Sequence, residues 1–210
     1  MQHVVTKSAH ISIVGMPNAG KSTLLNQVLG QKISIVTHKV QTTRSAIKGI
    51  LTENNTQLVF IDTPGIFTPK KNLEKSMVRC AWSSISGSDF VCVIISLESL
   101  KYFNEEFKKL LEHLAKINNK KIILINKIDK LCIDQKSTNI QEENIHAFFK
   151  DKKEAEVLDN LAYINSLFPD SRTFYISALK NHNIKIFLKY LEENAEESPY
   201  FYNEDEVTDA

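Results

Sequence analysis

A short glycine-containing segment directly behind an apolar run constrains this 210-residue chain more than any other feature. Residues 15–23, GMPNAGKST, follow the β-branched run 11–14 and precede a stretch in which apolar residues recur at helical spacing. The pattern Gly-x4-Gly-Lys-Ser is that of a phosphate-binding loop between a strand and a helix. It therefore predicts a strand, a tight loop and a helix in that order, the first unit of an α/β fold.

The residue types of this loop suit a chain of phosphate groups. Glycines let backbone N–H groups approach phosphate oxygens, and the helix that begins near Lys21 directs its unpaired N–H groups at the same anion. The Lys21 ammonium can neutralise the β- and γ-phosphates, and the Ser22 hydroxyl can bind Mg²⁺. A chance glycine-rich turn is the alternative, and the flanking strand and helix disfavour it. The predicted nucleotide contacts here are Gly15, Met16, Pro17, Asn18, Ala19, Gly20, Lys21, Ser22 and Thr23.

Apolar patterning along the rest of the chain predicts a sheet with helices. Short apolar runs predict strands over residues 11–14, 46–51, 57–61, 90–97, 121–125 and 173–176. Helical spacing predicts helices over 21–29, 71–85, 103–114 and 184–191. Alternating strands and helices form a mostly parallel sheet with helices on both faces, and the turn ENNT after residue 52 predicts one hairpin. We therefore expect the P-loop NTPase fold, with a six-stranded sheet that contains one antiparallel strand.

Composition and charge narrow the class of protein. Apolar residues make up 42% of the chain, and no apolar run approaches the roughly 20 residues that cross a bilayer. Three widely spaced cysteines form neither a metal-ligand pair nor an even disulfide set, which favours a reducing cytoplasm. Residues 192–210 hold eight acidic and no basic residues, which leaves 26 basic against 17 acidic residues over 1–191. A basic body attracts RNA or an acidic membrane surface, and a solvated lysine-rich surface is the alternative.

The motif NKID, residues 126–129, predicts which base the site accepts. The Asp129 carboxylate can accept hydrogen bonds from guanine N1–H and the exocyclic amine, whereas adenine would leave it unpaired, a costly mismatch. Asn126 can bond N7 and connect the strand end to the phosphate loop, and the aliphatic stem of Lys127 can cover the base. A solvated turn at the strand end is the alternative for this short pattern. The sequence ISALK completes the predicted base site with Ser177, Ala178 and Leu179, where small residues let a backbone N–H approach guanine O6.

The sequence DTPG supplies a second set of groups at a strand end. Asp62 can reach Mg²⁺ through water, and the Gly65 N–H can bond the γ-phosphate; the predicted nucleotide contacts here are Asp62, Thr63, Pro64 and Gly65. Ras-type GTPases place a glutamine after this glycine to orient the attacking water. Ile66 cannot do so, and we expect slow intrinsic turnover.

The segment VQTTR adds the hydroxyls of Thr42 and Thr43, either of which can bind Mg²⁺ while the γ-phosphate is present. Ordinary strand chemistry is the alternative for both. Arg44 is a candidate for stabilising charge in the transition state, although a surface arginine is favoured.

The side-chain carbonyl of Asn18 can bind K⁺ between the phosphates, or it can form a hydrogen bond within the phosphate loop. The residues expected to act in hydrolysis are Lys21, Asn18, Thr42, Thr43 and Gly65, and those expected to bind Mg²⁺ are Ser22, Thr42, Thr43 and Asp62.

These segments together resemble the Era family of bacterial GTPases. The resemblance runs from about residue 8 to residue 209, and GQKISIVTHKVQTTR separates the chain from related GTPase classes. It implies hydrolysis of GTP to GDP with Mg²⁺, in a step of 16S rRNA maturation and 30S subunit assembly. It also implies a cytoplasmic location with peripheral contact at the inner membrane. The implied partners are GTP or GDP, 16S rRNA and the 30S subunit, and no DNA is expected.

The predicted domain organisation follows the same resemblance. Residues 1–194 are expected to form the GTP-binding domain, with a solvated helical insertion around 131–168, and residues 195–210 an unpacked acidic linker or tail. Era proteins carry a KH domain that binds the 3′ end of 16S rRNA. No glycine follows Gly87 here, so these 210 residues lack its GxxG clamp. We expect weak RNA binding by these residues alone.

Two other functions remain open on sequence grounds. One is a GTPase of a related class, such as a tRNA-modification or metal-transport regulator. The other is an RNA- or membrane-associated module that binds nucleotide with little hydrolysis, which the intact Lys21, Ser22, Asp62 and Asp129 oppose.

Overall fold

The computed structural model describes residues 5–30, 46–62, 82, 85–131 and 152–203. The strands are β1 (Lys7–Val14), β2 (Ala46–Glu53), β3 (Thr56–Asp62), β4 (Phe90–Ser96), β5 (Lys120–Asn126), β6 (Arg172–Ile176) and β7 (Glu196–Glu197). The helices are α1 (Lys21–Leu29), α2 (Leu97–Lys101), α3 (Glu105–Ala115), a 3-10 turn (Ile128–Lys130), α4 (Lys152–Leu167) and α5 (Ile184–Asn194). Of the helix predicted over 71–85, the structure describes only Trp82 and Ile85, both helical.

The strands form one mixed sheet in the order β2-β3-β1-β4-β5-β6. Neighbours pair in parallel except β2 and β3, which form the predicted hairpin. Asn54 and Asn55 form its two-residue turn, and both have positive φ angles of 50° and 59°, as a type I′ turn requires. The six predicted strands and the antiparallel strand of the hairpin are confirmed, but the prediction of a six-stranded sheet is wrong by one strand, because β7 pairs antiparallel with β1.

Apolar residues cover both faces of this sheet. Residues Leu24 and Leu25 of α1 and Phe187 and Leu191 of α5 are buried in the cluster on one face. The other cluster contains the buried residues of α3 and α4. The Asn104 side chain accepts a hydrogen bond of 2.8 Å from the Phe107 N–H and so caps α3. The predicted layer of helices on each face is confirmed.

The interpretation of 131–168 as a solvated insertion is wrong for its described part. Val157, Leu161 and Ile164 of helix α4, and Phe168 just beyond its end, are buried in the apolar cluster that covers one face of the sheet. These positions recur every three or four residues, the spacing of one helix face. Helix α4 therefore belongs to the crossover between the parallel strands β5 and β6, which such a connection requires.

The strand predicted over 90–97 ends one residue earlier, at Ser96. Its hydroxyl accepts a hydrogen bond from the Ser99 N–H at 3.2 Å and caps α2, so Leu97 begins a helix that the pattern did not predict. Strand β1 begins at Lys7, four residues before the predicted start, because its polar residues also pair with β3.

The segment 196–203, which we call the strap, is packed and not the predicted free tail. Its first two residues form β7, which pairs with Lys7 and Ser8 on the side of β1 that β4 leaves open. The Gln57 side chain then bonds both backbone groups of Tyr202, at 2.9 and 3.0 Å. The centroids of the Phe201 and His10 rings lie 4.0 Å apart. Together these contacts attach the strap to the sheet.

No helix within the described ranges is long and apolar enough to cross a membrane.

Candidate functional site

The predicted phosphate and base residues converge at one edge of the sheet. Because β1, β3, β4, β5 and β6 are parallel, their carboxyl ends lie on the same side. Ser96 is in register with Asn126, and Asn126 with Ile176. Ligands of open α/β sheets bind beyond these carboxyl ends. The sequence motifs that follow β1, β5 and β6 therefore face one common site.

The phosphate loop can approach the sheet closely because of two glycines. A Cβ on Gly15 would lie 2.3 Å from the Ile94 carbonyl oxygen, and one on Gly20 would lie 2.2 Å from Nδ2 of Asn126. Gly20 also has a φ of 103°, in the left-handed region that favours glycine. Both positions thus exclude any side chain, and the Gly-x4-Gly spacing is a packing requirement of this loop.

Lysine and helix together make the loop a site for an anion. The Lys21 ammonium donates hydrogen bonds to the carbonyls of Gly15 and Met16, at 2.7 and 3.0 Å, which holds its charge over the loop. Among the described residues no side chain caps the N-terminus of α1, and its first turn contains no acidic residue. Its leading N–H groups and the positive end of its dipole favour phosphate. Ser22 lies in this turn and is exposed, as a ligand for a phosphate-bound Mg²⁺ must be.

Asn126 connects the phosphate loop to the loop after β6. Its Nδ2 donates to the Ala19 carbonyl at 2.9 Å, and its Oδ1 accepts from the Ala178 N–H at 3.0 Å. The side chain is 2% exposed, so both bonds are shielded from water. The predicted connection between strand end and phosphate loop is present. A backbone N–H of residues 177–179 is predicted to approach guanine O6, and of these the Ala178 N–H donates to Asn126 in this structure.

Asp129 is exposed and held by a neighbouring hydroxyl. The Ser177 Oγ donates to Asp129 Oδ1 at 2.5 Å and accepts from the Lys180 N–H at 3.1 Å. Two backbone hydrogen bonds between Ser177 and His182, at 3.0 and 3.2 Å, close the loop that follows β6. One carboxylate oxygen is therefore fixed from the protein side, which orients the group for donors on a ligand.

Lys127 has the positive φ of 67° that is uncommon outside glycine. Its Nζ lies 2.8 Å from Oε2 of Glu98 on α2, and the Lys130 ammonium bonds Oε1 of the same carboxylate. Hydrogen bonds from Lys127 and then Lys130 lower the pKa of Glu98 to about 2. The carboxylate is thus ionised throughout the neutral range, and the stabilisation that this ion pair gives is lost only as the pH falls toward 2.

Of the remaining predicted site residues, the structure describes some and leaves others outside its described ranges. Leu179 is 69% exposed, whereas Ala178 is buried beside Asn126. Asp62 ends β3 at the same edge of the sheet. Residues Thr42, Thr43, Thr63, Pro64 and Gly65 lie outside the described residues. Within the described ranges, no cluster of three or more His, Cys, Asp or Glu side chains can hold a metal ion.

Two functional contacts were missed in the sequence. Ser177 was predicted only as a small residue near the base, but its hydroxyl orients Asp129. Glu98 lies in none of the sequence motifs. Its only sequence signal is its position just beyond the end of a buried strand, where parallel strands present their ligand-binding residues.

Comparison with known proteins agrees with this geometry. The family model described as "50S ribosome-binding GTPase" matches residues 10–127. GTPase Era of Rickettsia canadensis is 43% identical over 210 residues, which is all of this chain and 63% of that protein.

Two solved structures are similar as well. Era in complex with MgGDPNP and nucleotides 1506–1542 of 16S ribosomal RNA superposes with a TM-score of 0.70 at 32% identity. A single-residue variant of Aquifex aeolicus Era bound to GDP·AlF4⁻ gives a TM-score of 0.63 at 32% identity. Each match covers 98% of this chain and 62% of the other. The chain thus spans about three fifths of the length of the proteins that it resembles. It belongs to the family of 50S ribosome-binding GTPases, and the relatives named above, which it matches over 98% or more of its length, are Era proteins.

Proposed function

We propose that the chain binds GTP and hydrolyses it to GDP and phosphate, as a switch in 16S rRNA maturation and 30S subunit assembly. The observation that carries the proposal is the Asn126 side chain. It bonds Ala19 of the phosphate loop and Ala178, the neighbour of the Ser177 that holds Asp129, so phosphate and base groups form one site. The ribosomal part rests on similarity to Era proteins, one of them solved with 16S rRNA nucleotides.

In the proposed site, each described residue has a physical task. Lys21 and the N-terminus of α1 bind the phosphates, and Asp129 selects guanine. Asn126 holds the phosphate loop at a constant distance from the base loop. Ser22 and Asp62, with Thr42 or Thr43, would hold Mg²⁺, which neutralises charge on the phosphates when bound. Thr63, Pro64 and Gly65 remain proposed contacts of the γ-phosphate region.

Release of phosphate from GTP, with and without purified 30S subunits, tests this proposal. We expect slow release by the chain alone and faster release with subunits present. No GTP-dependent phosphate release in either condition would contradict it. The domain assignment belongs to the proposal too: a GTP-binding domain over 1–194, to which the strap is attached through β7 and Gln57. We further propose action in the cytoplasm, with peripheral contact at the inner membrane.

Potassium activation is a separate part of the proposal. Asn18 is exposed in the phosphate loop with a φ of 60°, and its side chain makes no hydrogen bond to another described residue. Its carbonyl oxygen is therefore available to bind a cation beside the phosphates, where negative charge develops during hydrolysis. Ile66 cannot orient water as a glutamine would, so another source of stabilisation is needed.

We expect GTP hydrolysis to be severalfold faster in potassium than in sodium at equal ionic strength. Sodium is smaller and fits the same ligands less well. Asn18→Ala should remove the difference while GDP binding stays nearly unchanged, which phosphate-release and GDP-binding measurements in both salts will check. Equal rates in the two salts for the unmutated chain would contradict potassium binding, as would a potassium effect that persists in Asn18→Ala.

RNA binding by these 210 residues should be weak and mainly electrostatic. The chain has no GxxG clamp, and the acidic residues from 192 onward repel phosphate. If three phosphates are contacted, the affinity for a 3′ 16S rRNA oligonucleotide falls about 20-fold between 50 and 200 mM salt. Fluorescence anisotropy with the native and a scrambled oligonucleotide measures this. Tight binding that prefers the native sequence would show that these residues recognise RNA themselves.

A further inference from the structure

We propose that Glu98 is a positioning residue of the base site, which holds the Lys127 side chain in place over the guanine ring. The inference rests on the proposed function, because it assumes that a guanine nucleotide lies against the motif 126–129. Glu98 does not contact the nucleotide in this scheme. It acts through Lys127, and its effect on nucleotide binding should depend on that lysine.

The geometry comes from the junction of two adjacent strands. Strands β4 and β5 end together, with Ser96 in register with Asn126. Because Ser96 caps α2, Glu98 is placed in the first turn of that helix, beside the residues that follow β5. Its two oxygens bond two different lysines, Lys127 at 2.8 Å and Lys130. The carboxylate therefore bridges the lysine of the base motif to a second cation.

This bridge restricts a side chain that is otherwise mobile. A free lysine has four rotatable bonds, and ordering them costs conformational entropy. With the ammonium held by Glu98, the Lys127 side chain is only 25% exposed, and its position is set before any ligand arrives. A base that stacks against the lysine stem then avoids part of this entropy cost, which is the effect of preorganisation on affinity.

The second lysine, Lys130, helps to offset the negative charge of Glu98 beside the phosphate loop. Glu98 lines a cleft of about 340 Å³ that the phosphate-loop residues Met16, Pro17 and Asn18 also line. An isolated carboxylate beside that loop would repel phosphate. Lys127 and Lys130 together outweigh its charge, so the cluster keeps a net positive charge while it fixes Lys127.

Dissociation of a fluorescent GDP, followed by stopped flow, tests the proposal with wild type, Glu98→Gln, Lys127→Met and the double variant. We expect Glu98→Gln to accelerate dissociation about fivefold, the upper range for an exposed ion pair. The double variant should match Lys127→Met, because Glu98 has no effect once its lysine is gone. Glu105→Gln is the control, since Glu105 on α3 also pairs with a lysine, Lys108, at 3.0 Å.

Inosine diphosphate separates this role from that of Asp129. Hypoxanthine lacks the exocyclic amine but offers the same ring face, so Glu98→Gln should weaken GDP and IDP by the same factor. Lys130→Gln should change the rate of GDP dissociation less than Glu98→Gln does, because Lys127 still pairs with the Glu98 carboxylate.

Several outcomes would overturn the proposal. Unchanged GDP dissociation in Glu98→Gln, with an unchanged melting temperature, contradicts it. So does an effect that persists undiminished in the Lys127→Met background, or one that alters the GDP-to-IDP ratio. An unmutated chain that binds no GDP would instead contradict the proposed function.

Discussion

Replacing Asp129 by asparagine is expected to weaken GTP binding about 30- to 1,000-fold, since losing a bidentate charged contact costs on the order of 2–4 kcal/mol. Asparagine keeps an oxygen that can accept the Ser177 hydroxyl hydrogen bond, at 2.5 Å in the unmutated chain. It replaces the other acceptor by an amide donor. Guanine N1–H and the exocyclic amine then lose the oxygen that accepts their hydrogen bonds. The additional carbonyl of xanthine instead gains a donor, the amide N–H of the asparagine.

Xanthosine triphosphate should therefore bind the Asp129→Asn variant better than GTP does. Competition titrations against a fluorescent nucleotide measure both affinities on one protein. Asp170→Asn is a suitable control, because Asp170 is exposed in the turn before β6. If Asp129→Asn binds GTP with unchanged affinity, Asp129 does not contact the base.

The second large effect concerns the stability of the empty protein. We expect Asn126→Ala to lower the free energy of unfolding by about 2–4 kcal/mol, because it leaves two buried backbone groups without partners at about 1–3 kcal/mol each. Those groups are the Ala19 carbonyl, at 2.9 Å from Nδ2, and the Ala178 N–H, at 3.0 Å from Oδ1. Urea unfolding without nucleotide measures the change independently of any ligand.

An exposed asparagine provides the control for this measurement. Asn194 at the end of α5 bonds only the Tyr190 carbonyl, at 2.8 Å, among described residues. Asn194→Ala should therefore stay within about 0.5 kcal/mol of the unmutated chain. A similarly small change in Asn126→Ala would show that the bonds of Asn126 do not stabilise the fold.

The sequence alone predicted the parts of the site whose chemistry is local. A Gly-x4-Gly-Lys-Ser loop needs two positions without Cβ atoms and one cation within a single turn, so its signal lies in consecutive residues. The same holds for NKID, whose residues follow one strand end. Once these motifs are placed at the ends of parallel strands, their convergence follows from the topology.

Contacts between distant segments left no comparable signal. Glu98 meets Lys127 across 29 residues, and neither residue type indicates its partner. The strap forms hydrogen bonds with the sheet largely through Ser8, Gln57 and backbone groups. Such contacts leave no periodic pattern of apolar residues in the sequence. Helix α4 does have a periodic apolar face, but charged residues around it obscured the pattern.

The pairing of β7 with β1 also affects the order in which the sheet is completed during synthesis. Lys7 and Ser8 leave the ribosome about 190 residues before Glu196 and Glu197, their partners on one side. At typical elongation rates of 5–20 residues per second, that interval is about 10–40 s. For that time the first part of β1 presents unpaired backbone groups on one side, the condition that favours pairing with another chain. Within this sheet, strand β1 is therefore the first to be translated, and one side of it is among the last to be covered.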